Sequence, residues 1–198
     1  VSITNQNLTV DSGTISVANA NLLDAATEGT VTASITTTEP VDELKTLTGT
    51  HAYTIVIAAG DAESSTADDL NTINGKTSVA IDASAVTALA SDNISNIKTL
   101  LTAGNDTAQF TAASFGSLTG VTVSDTTLDV SDFVGAVDQA NTATADTSVV
   151  FTITAADTIN GGTEANFTDL LADEGNNQVS ITNQNLTVDS GTISVDNA

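Results

Sequence analysis

The first twenty residues of the chain return at its end: VSITNQNLTVDSGTISVANA from Val1 to Ala20, and VSITNQNLTVDSGTISVDNA from Val179 to Ala198. The offset is 178 positions throughout, and the single difference is Ala18 against Asp196. A match of this length at a fixed spacing marks a tandem repeat, whose units stack because none can bury its apolar face alone. Residues 1–178 are therefore read as one full period. Residues 179–198 are read as the start of the next copy, continuing the same stack. The chain contains no Met, so it is expected to begin inside a longer polypeptide. Arrays of near-identical modules supply length, surface or multivalency.

Within the period two kinds of segment alternate. Short runs rich in Val, Ile and Thr, bounded by Gly, Asn or Asp, read as strands. They are V31-T-A-S-I35, H51-A-Y-T-I-V-I57, S78-V-A-I81, Q109-F-T-A112, G120-V-T-V-S124, S148-V-V-F-T-I-T154 and V179-S-I-T182. The other segments carry apolar residues at helical spacing. These centre on Leu22 and Leu23, on Leu44 and Leu47, on Leu70 and Ile73, and on Ile94, Ile97, Leu100 and Leu101. Two more centre on Phe133, Val134 and Val137 and on Phe167, Leu170 and Leu171. Ser91 or Asp92 is placed to cap the fourth, and Pro40 fits the first turn of the second. Gly29, Gly49, Gly75, Gly104 and Gly175 follow the apolar pairs, where helices stop. Helices of two or three turns are not stable alone and must pack on something.

The helical pieces recur roughly every 24 to 37 residues, which makes six strand–helix units per period. Val1–Thr4, Leu8–Val10 and Thr14–Val17, separated by NQN and DSG, read as three sides of one coil. The expected fold is mainly β with short helices: a parallel β-solenoid of about six strand–helix units per repeat. At about 4.8 Å per coil, one period would advance the array by about 30 Å. The alternative is two tandem immunoglobulin-like β-sandwiches of about 90 residues each, which accommodates six helical segments poorly.

Charge narrows the function further. Twenty-five acids face only Lys45, Lys76 and Lys98, for a net charge of −22. Nucleic-acid binding needs a basic footprint, and anionic membrane surfaces repel such a chain. With no Cys, there is no disulfide, thiolate metal site or Cys nucleophile. No apolar run approaches the roughly 18 residues of a membrane span. The acidity reads either as solubility and repulsion along an extended array or as Ca²⁺ binding between neighbouring carboxylates.

No calcium motif supports the second reading. Asn160-Gly161-Gly162 runs into Thr163-Glu164 and departs from the β-roll nonapeptide, and no stretch matches an EF-hand loop. The remaining candidate metal ligands are Asp61, Glu63, Asp68 and Asp69 in one segment, and Asp125, Asp129 and Asp132 in another. In the competing reading Asp68 and Asp69 are first-turn acids facing a helix dipole, and Asp129 or Ser131 is a cap. Asp173 and Glu174 lie near a helix C-terminus, where the dipole disfavours them, so they are either solvated or partnered by a cation. His51 is the only His; without a second His or a Cys it reads as a strand-edge residue and not as a ligand.

Catalysis has little to stand on. No G-x-S-x-G occurs and His51 is the only imidazole. An acidic polysaccharide would be repelled, and no carboxylate pair is marked out for glycoside hydrolysis. The chain is read as a non-enzyme. Asn-x-Ser/Thr sequons at Asn7, Asn93, Asn105, Asn166 and Asn185 permit glycosylation without indicating it. Thr30, Thr32, Thr36, Thr152 and Thr154 alternate along strands, but the unit spacing is too irregular to align them as an ice-binding face.

LNTINGKTSVAIDASAVTAL (Leu70 to Leu89) and ANLLDAATEGTVTASI (Ala20 to Ile35) resemble repeats of giant bacterial cell-surface proteins. These are the very large motility and adhesin-like proteins of marine cyanobacteria and similar proteins of green sulfur bacteria. The resemblance covers most of the period in style but carries no invariant functional residues. It implies an extracellular location and a structural, adhesive or motility role, with no catalytic residues to carry over. The partners expected are neighbouring repeats, other filaments, glycans or a partner cell surface. Two variants of this role remain: a repeated glycan- or cell-recognition module acting through avidity, and a calcium-stiffened spacer.

Overall fold

The computed structural model describes residues 3–61, 64–144, 149–154, 158–175, 178–180 and 185–190. Short strands and helices alternate along them. The first half contains β1 (Leu8–Thr9), α1 (Val17–Ala26), β2 (Val31–Ser34), α2 (Val41–Leu44), β3 (Ala52–Thr54) and α3 (Ala67–Asn74). Then come β4 (Ala88–Asp92), α4 (Ile94–Gly104), β5 (Gly120–Val123), β6 (Thr127–Asp129) and α5 (Val130–Thr144). The chain closes with β7 (Val150–Ile153), β8 (Thr158–Thr163), α6 (Glu164–Gly175), β9 (Val179–Ser180) and β10 (Asn185–Ser190).

Every named ladder is parallel. The sheet orders are β1-β2-β3, β4-β5-β7-β9 and β10-β8-β6. Isolated parallel bridges from His51 to Thr77, Val56 to Asp82 and Ile81 to Phe110 span the gap between the first sheet and the second. The chain therefore advances sideways by one strand per unit. Successive steps run from Leu8 to Val31, Thr32 to Ala52, His51 to Thr77, Ile81 to Phe110, Val121 to Phe151 and Phe151 to Val179. The final step seats the second copy of the duplicated segment on the first copy's last unit. Val179 pairs with Phe151 and Ser180 with Thr152, while Asn185 and Leu186 pair with Thr158 and Ile159.

The expected mainly β solenoid is not what forms. More of the described residues lie in helices than in strands, and the strands divide among three small sheets that do not close into coils. The physical reason lies in the helical stripes. Ile94, Ile97, Leu100, Leu101 and Ala103 of α4 are all buried, as are Val130, Phe133, Val134, Ala136, Val137 and Ala140 of α5. Such faces make helices one whole wall of the core, where a β-solenoid would need strands. The helices also stack on each other, α3 on α4, α4 on α5 and α5 on α6. The sandwich alternative fails too, because immunoglobulin-like sheets are antiparallel.

Several local expectations shift with this. The extended runs at 78–81 and 109–112 contribute only single bridges. Residues 14–17 do not form a third strand, because α1 starts at Val17, with the Ser16 hydroxyl accepting from the Asn19 amide. The helix then buries Val17 and Ala20, and Leu22 of the expected apolar pair is 68 % exposed. Pro40 precedes α2 as its cap residue, outside the first turn. Ala18 is exposed, and its counterpart Asp196 lies outside the described residues.

The core lies between the helices and the strand tracks. Tyr53 and all five Phe are buried, with Phe110 against Phe115 at 5.2 Å and Phe133 edge-on to Phe151 at 5.5 Å. The other buried apolar side chains are Ala, Val, Leu and Ile, so backbones approach closely. At Gly29 a Cβ would overlap the Gln6 carbonyl, so only glycine lets the two units meet there.

Candidate functional site

One of the few polar side chains buried in the core is His51, just before β3. It is 7 % exposed, and its Nε2 lies 2.6 Å from Asp24 Oδ1 on α1. Its Nδ1 accepts from the Val31 amide at 3.2 Å. Because Nδ1 faces a donor, the ring hydrogen sits on Nε2 and is donated to Asp24. Hydrogen bonds from Thr48 and then from His51 hold the Asp24 carboxyl below its ordinary range. Tyr53 meets the imidazole edge-on at 5.3 Å, and burial pushes its phenol up to about 12, with the Asp24 charge adding to the effect.

Gly49 closes over the pair. Its φ is +68°, and a Cβ there would lie 2.6 Å from His51 Nε2 and 2.8 Å from Asp24 Oδ1. A His–Asp pair is two members of a relay, but here the third position is a backbone amide and not a nucleophile. Both ring nitrogens are committed. What the arrangement does is bind three consecutive units together at residues 24, 31 and 51. Sequence reasoning took His51 for a strand-edge residue. Nothing near it in sequence signals Asp24, 27 positions away.

The acids follow a rule that crosses units. Glu39 Oε1 accepts from the Val17 amide of α1 at 3.2 Å. Asp92 Oδ2 accepts from the Asp68 amide of α3 at 2.7 Å, and Asp125 Oδ2 from the Ile94 amide of α4 at 2.7 Å. Each carboxylate thus caps the helix of the preceding unit, satisfying an orphan donor and facing the positive end of the dipole. The cap of α4 in its own unit is Asn93, not Ser91 or Asp92. Amide side chains make a second set of links: Asn71 to the Asn96 carbonyl, Asn105 to Gln139 and Gln178 to Asn141.

The candidate metal ligands are distributed among these roles. Asp69 completes a capping box with Thr66 and lies 2.6 Å from Lys45 Nζ, which also reaches Asp42 at 2.9 Å. Asp69 and then Asp42 hold Lys45 above its ordinary range. Asp68 offers its amide to Asp92, and Asp125 caps α4. Burial pushes the Asp129 carboxyl up, but bonds from Ser131 and Asp132 outweigh it and hold it below the ordinary range. Asp132 pairs with Lys98 at 2.8 Å. Asp61 lines a cavity of ≈ 170 Å³ together with Asp42 and Asp69. Glu63 lies outside the described residues. Among the described residues no three His, Cys, Asp or Glu side chains converge as a metal site.

One acid stands against its surroundings. Burial pushes Asp173 up to about 6, and the charges of Asp138 and Asp169 add to it. The folded state therefore holds this proton more tightly than the unfolded chain, whose value is 3.8. Stability is reduced above pH 6 and recovers as pH falls from about 6 towards 4. Asp173→Asn is expected to raise stability at pH 7 by about 1 kcal/mol, after allowing for solvent screening. It should also flatten the pH dependence of the denaturation midpoint in that window. Glu174 has no described side chain.

An open groove of ≈ 460 Å³ runs between α3 and α4, lined by Asn71, Asn74, Lys98, Thr99, Thr102 and Gln109 among others. Several of its polar groups bond within the chain: Asn74 Nδ2 donates to Gln109 Oε1 at 2.8 Å, and Lys98 donates to Asp132 at 2.8 Å. It has no aromatic wall on which a sugar ring could stack. Among the described residues no helix is long and apolar enough to cross a membrane. Comparison with protein families, with curated proteins and with solved structures finds no match for the chain.

Proposed function

We propose that the chain is a structural, adhesive repeat module of a very long exported bacterial surface protein, supplying length, rigidity and an acidic surface. The observation that carries this reading is the join between copies. The second copy of the duplicated segment adds β9 and β10 in parallel onto β7 and β8 of the first, so one copy ends as the strand bed of the next. Caps, amide links and the His51 tie all run between consecutive units, which makes each unit's stability depend on its neighbours. The charge of −22 keeps parallel filaments apart at low salt. The resemblance to giant surface proteins supports the exported, adhesive setting.

The groove, whose described lining includes no aromatic side chain, favours a spacer over a glycan-recognition module. Of the candidate ligands, Asp69, Asp125, Asp129 and Asp132 are engaged in caps or lysine pairs, which favours rigidity without calcium at those positions. Scattering on chains of one, two and four periods tests the reading. The six lateral steps traced above, at about 4.8 Å each, give an increment of about 30 Å per period. Separately folded beads of this size would add about 40 Å or more. An increment in the bead range would sink the proposal.

A further inference from the structure

Asparagine followed by glycine is the pair most open to ring closure, because the second residue has no Cβ to block approach of its amide nitrogen to the side-chain carbonyl carbon. The chain has two such pairs, Asn74-Gly75 and Asn160-Gly161. The fold treats them differently. Asn74 ends α3, with its Nδ2 donating to Gln109 Oε1 at 2.8 Å and the Gly75 amide donating to the Asn71 carbonyl at 3.2 Å. Both reacting groups are committed to other partners. Asn160 and Gly161 lie within β8, where both of its ladders lapse. Towards β6 the last register pair joins Asn160 to Asp129, the final residue of that strand. Towards β10 the register moves from Ile159–Leu186 to Gly162–Val188, so β8 carries one residue more than its partner. Gly161 has a register partner on neither side, and its φ is +78°. The Asn160 side chain is half-buried and has no hydrogen bond among the described residues.

We propose that Asn160 is a site of spontaneous covalent modification, converted to aspartate and isoaspartate through a cyclic imide closed by the Gly161 nitrogen. Solvent base removes the Gly161 amide proton, and the nitrogen attacks Asn160 Cγ. The new N–Cγ bond forms as the Cγ–Nδ2 bond breaks, and Nδ2 takes a proton from water and leaves as ammonia. Water then opens the ring at either carbonyl. Attack at Cγ yields aspartate, and attack at the main-chain carbonyl yields isoaspartate. No oxidant, metal or enzyme enters the balance. The unpaired position of Gly161 in the bulge frees its amide for the first step, so no ladder has to open beforehand.

The product changes the joint in which it sits. Asn160 stands opposite Asp129 on β6, and a Cβ on Gly161 would overlap the Asp129 carboxylate. Asp129 Oδ1 meanwhile accepts from the Ser131 and Asp132 amides at the start of α5. A carboxylate at position 160 places like charges directly opposite each other across the ladder, beside the acid that caps α5. Isoaspartate also lengthens the backbone of β8 by a methylene. Conversion therefore loosens the join of β6, β8 and α5 as the protein ages. The chemistry is the same whether the module is a spacer or an adhesin.

The unaltered chain, held for days at neutral and at mildly alkaline pH, supplies the readout. Peptide mapping by mass spectrometry, with isoaspartate located by enzymatic methylation, should show position 160 converting about tenfold or more faster than position 74, whose reaction must first break both of its hydrogen bonds. The rate should rise with pH, as removal of an amide proton requires. In urea, where ladders and helices are gone, the two positions should convert at similar rates. Asn160→Asp should melt about 2 °C or more below the unaltered chain. Adding Asp129→Asn, which keeps an acceptor for α5 but removes the charge, should recover most of that loss. Conversion at Asn160 that is no faster than at Asn74 in the folded chain, or that occurs only in urea, would overturn the site. An unchanged melt for Asn160→Asp would overturn the loosening. The mass readout is independent of the scattering increment, so either reading can fail while the other stands.

Discussion

Replacing Phe151 by Ala is expected to lower the unfolding free energy by about 3–5 kcal/mol, the largest effect of any single truncation in the chain. Its ring is fully buried, lies edge-on to Phe133 at 5.5 Å, and belongs to β7, which receives strands on both sides. The loss combines transfer of an aromatic ring out of the core, a cavity, and an edge-on aromatic contact. Relaxation offers little relief. The neighbouring side chains are mostly Ala, Val, Leu and Ile, and parallel pairing to Val121 and Val179 fixes the strand laterally. Thermal melting should move down by about 10 °C or more for a domain of this size. Val150→Ala is the internal control. That side chain is 43 % exposed one position earlier on the same strand, and its loss should stay within about 0.5 kcal/mol. Equal effects at the two positions would mean that the wrong face of β7 has been assigned to the core.

His51→Leu is expected to cost about 2–4 kcal/mol, although it exchanges a polar for an apolar side chain in a buried place. The substitution leaves the Val31 amide without its acceptor and Asp24 with only the Thr48 contribution. Unmet polar groups at such a site cost more than the added apolar contact returns. A double-mutant cycle with Asp24→Asn should show coupling of about 1–2 kcal/mol, with the pair of substitutions costing less than the sum. The pH dependence has a definite sign. The Asp24 carboxyl is held below its ordinary value of 3.8, so its contribution is present above that pH and is lost as pH falls through the folded value. Wild-type stability should therefore drop more steeply below pH 3.8 than that of His51→Leu. Additive substitutions and parallel pH profiles would show that the two side chains do not act as a pair.

Much of the local structure was legible in the sequence. Five of the six apolar stripes at helical spacing lie in helices, while the second does so only in part, since α2 ends at Leu44 and leaves Leu47 outside; the runs at 31–35, 120–124 and 148–154 contain β2, β5 and β7. Such patterns are local, since period and cap chemistry are read within a dozen residues. The errors came where a neighbouring unit competes for the same backbone. Residues 14–17 looked extended, but Ser16 caps a helix whose first amide is met by Glu39, 22 positions later. Leu22 looked like core, but starting α1 at Val17 turns it outward. The carboxylates at Asp69, Asp125 and Asp129 were open to a reading as cation ligands and, for Asp69 and Asp129, to one as first-turn or cap acids, and the second is what forms. They are satisfied by amides, hydroxyls and a lysine, and for Asp69 and Asp125 these include partners 24 to 31 residues away that no local window contains.

The sequence by itself showed that a segment recurs at a fixed spacing, because nineteen matches in twenty residues 178 positions apart need no structure to be seen. It also showed the alternation of extended and helical segments, and the one-sided charge of −22. Only the tertiary structure decided how much of each unit is helix, which acid caps which helix, and that His51 is a buried tie between three units. The physical reason is the same in each case. Short strands and short helices are too weak to hold their own boundaries, so those boundaries are set by the burial and hydrogen bonds that the adjoining unit offers.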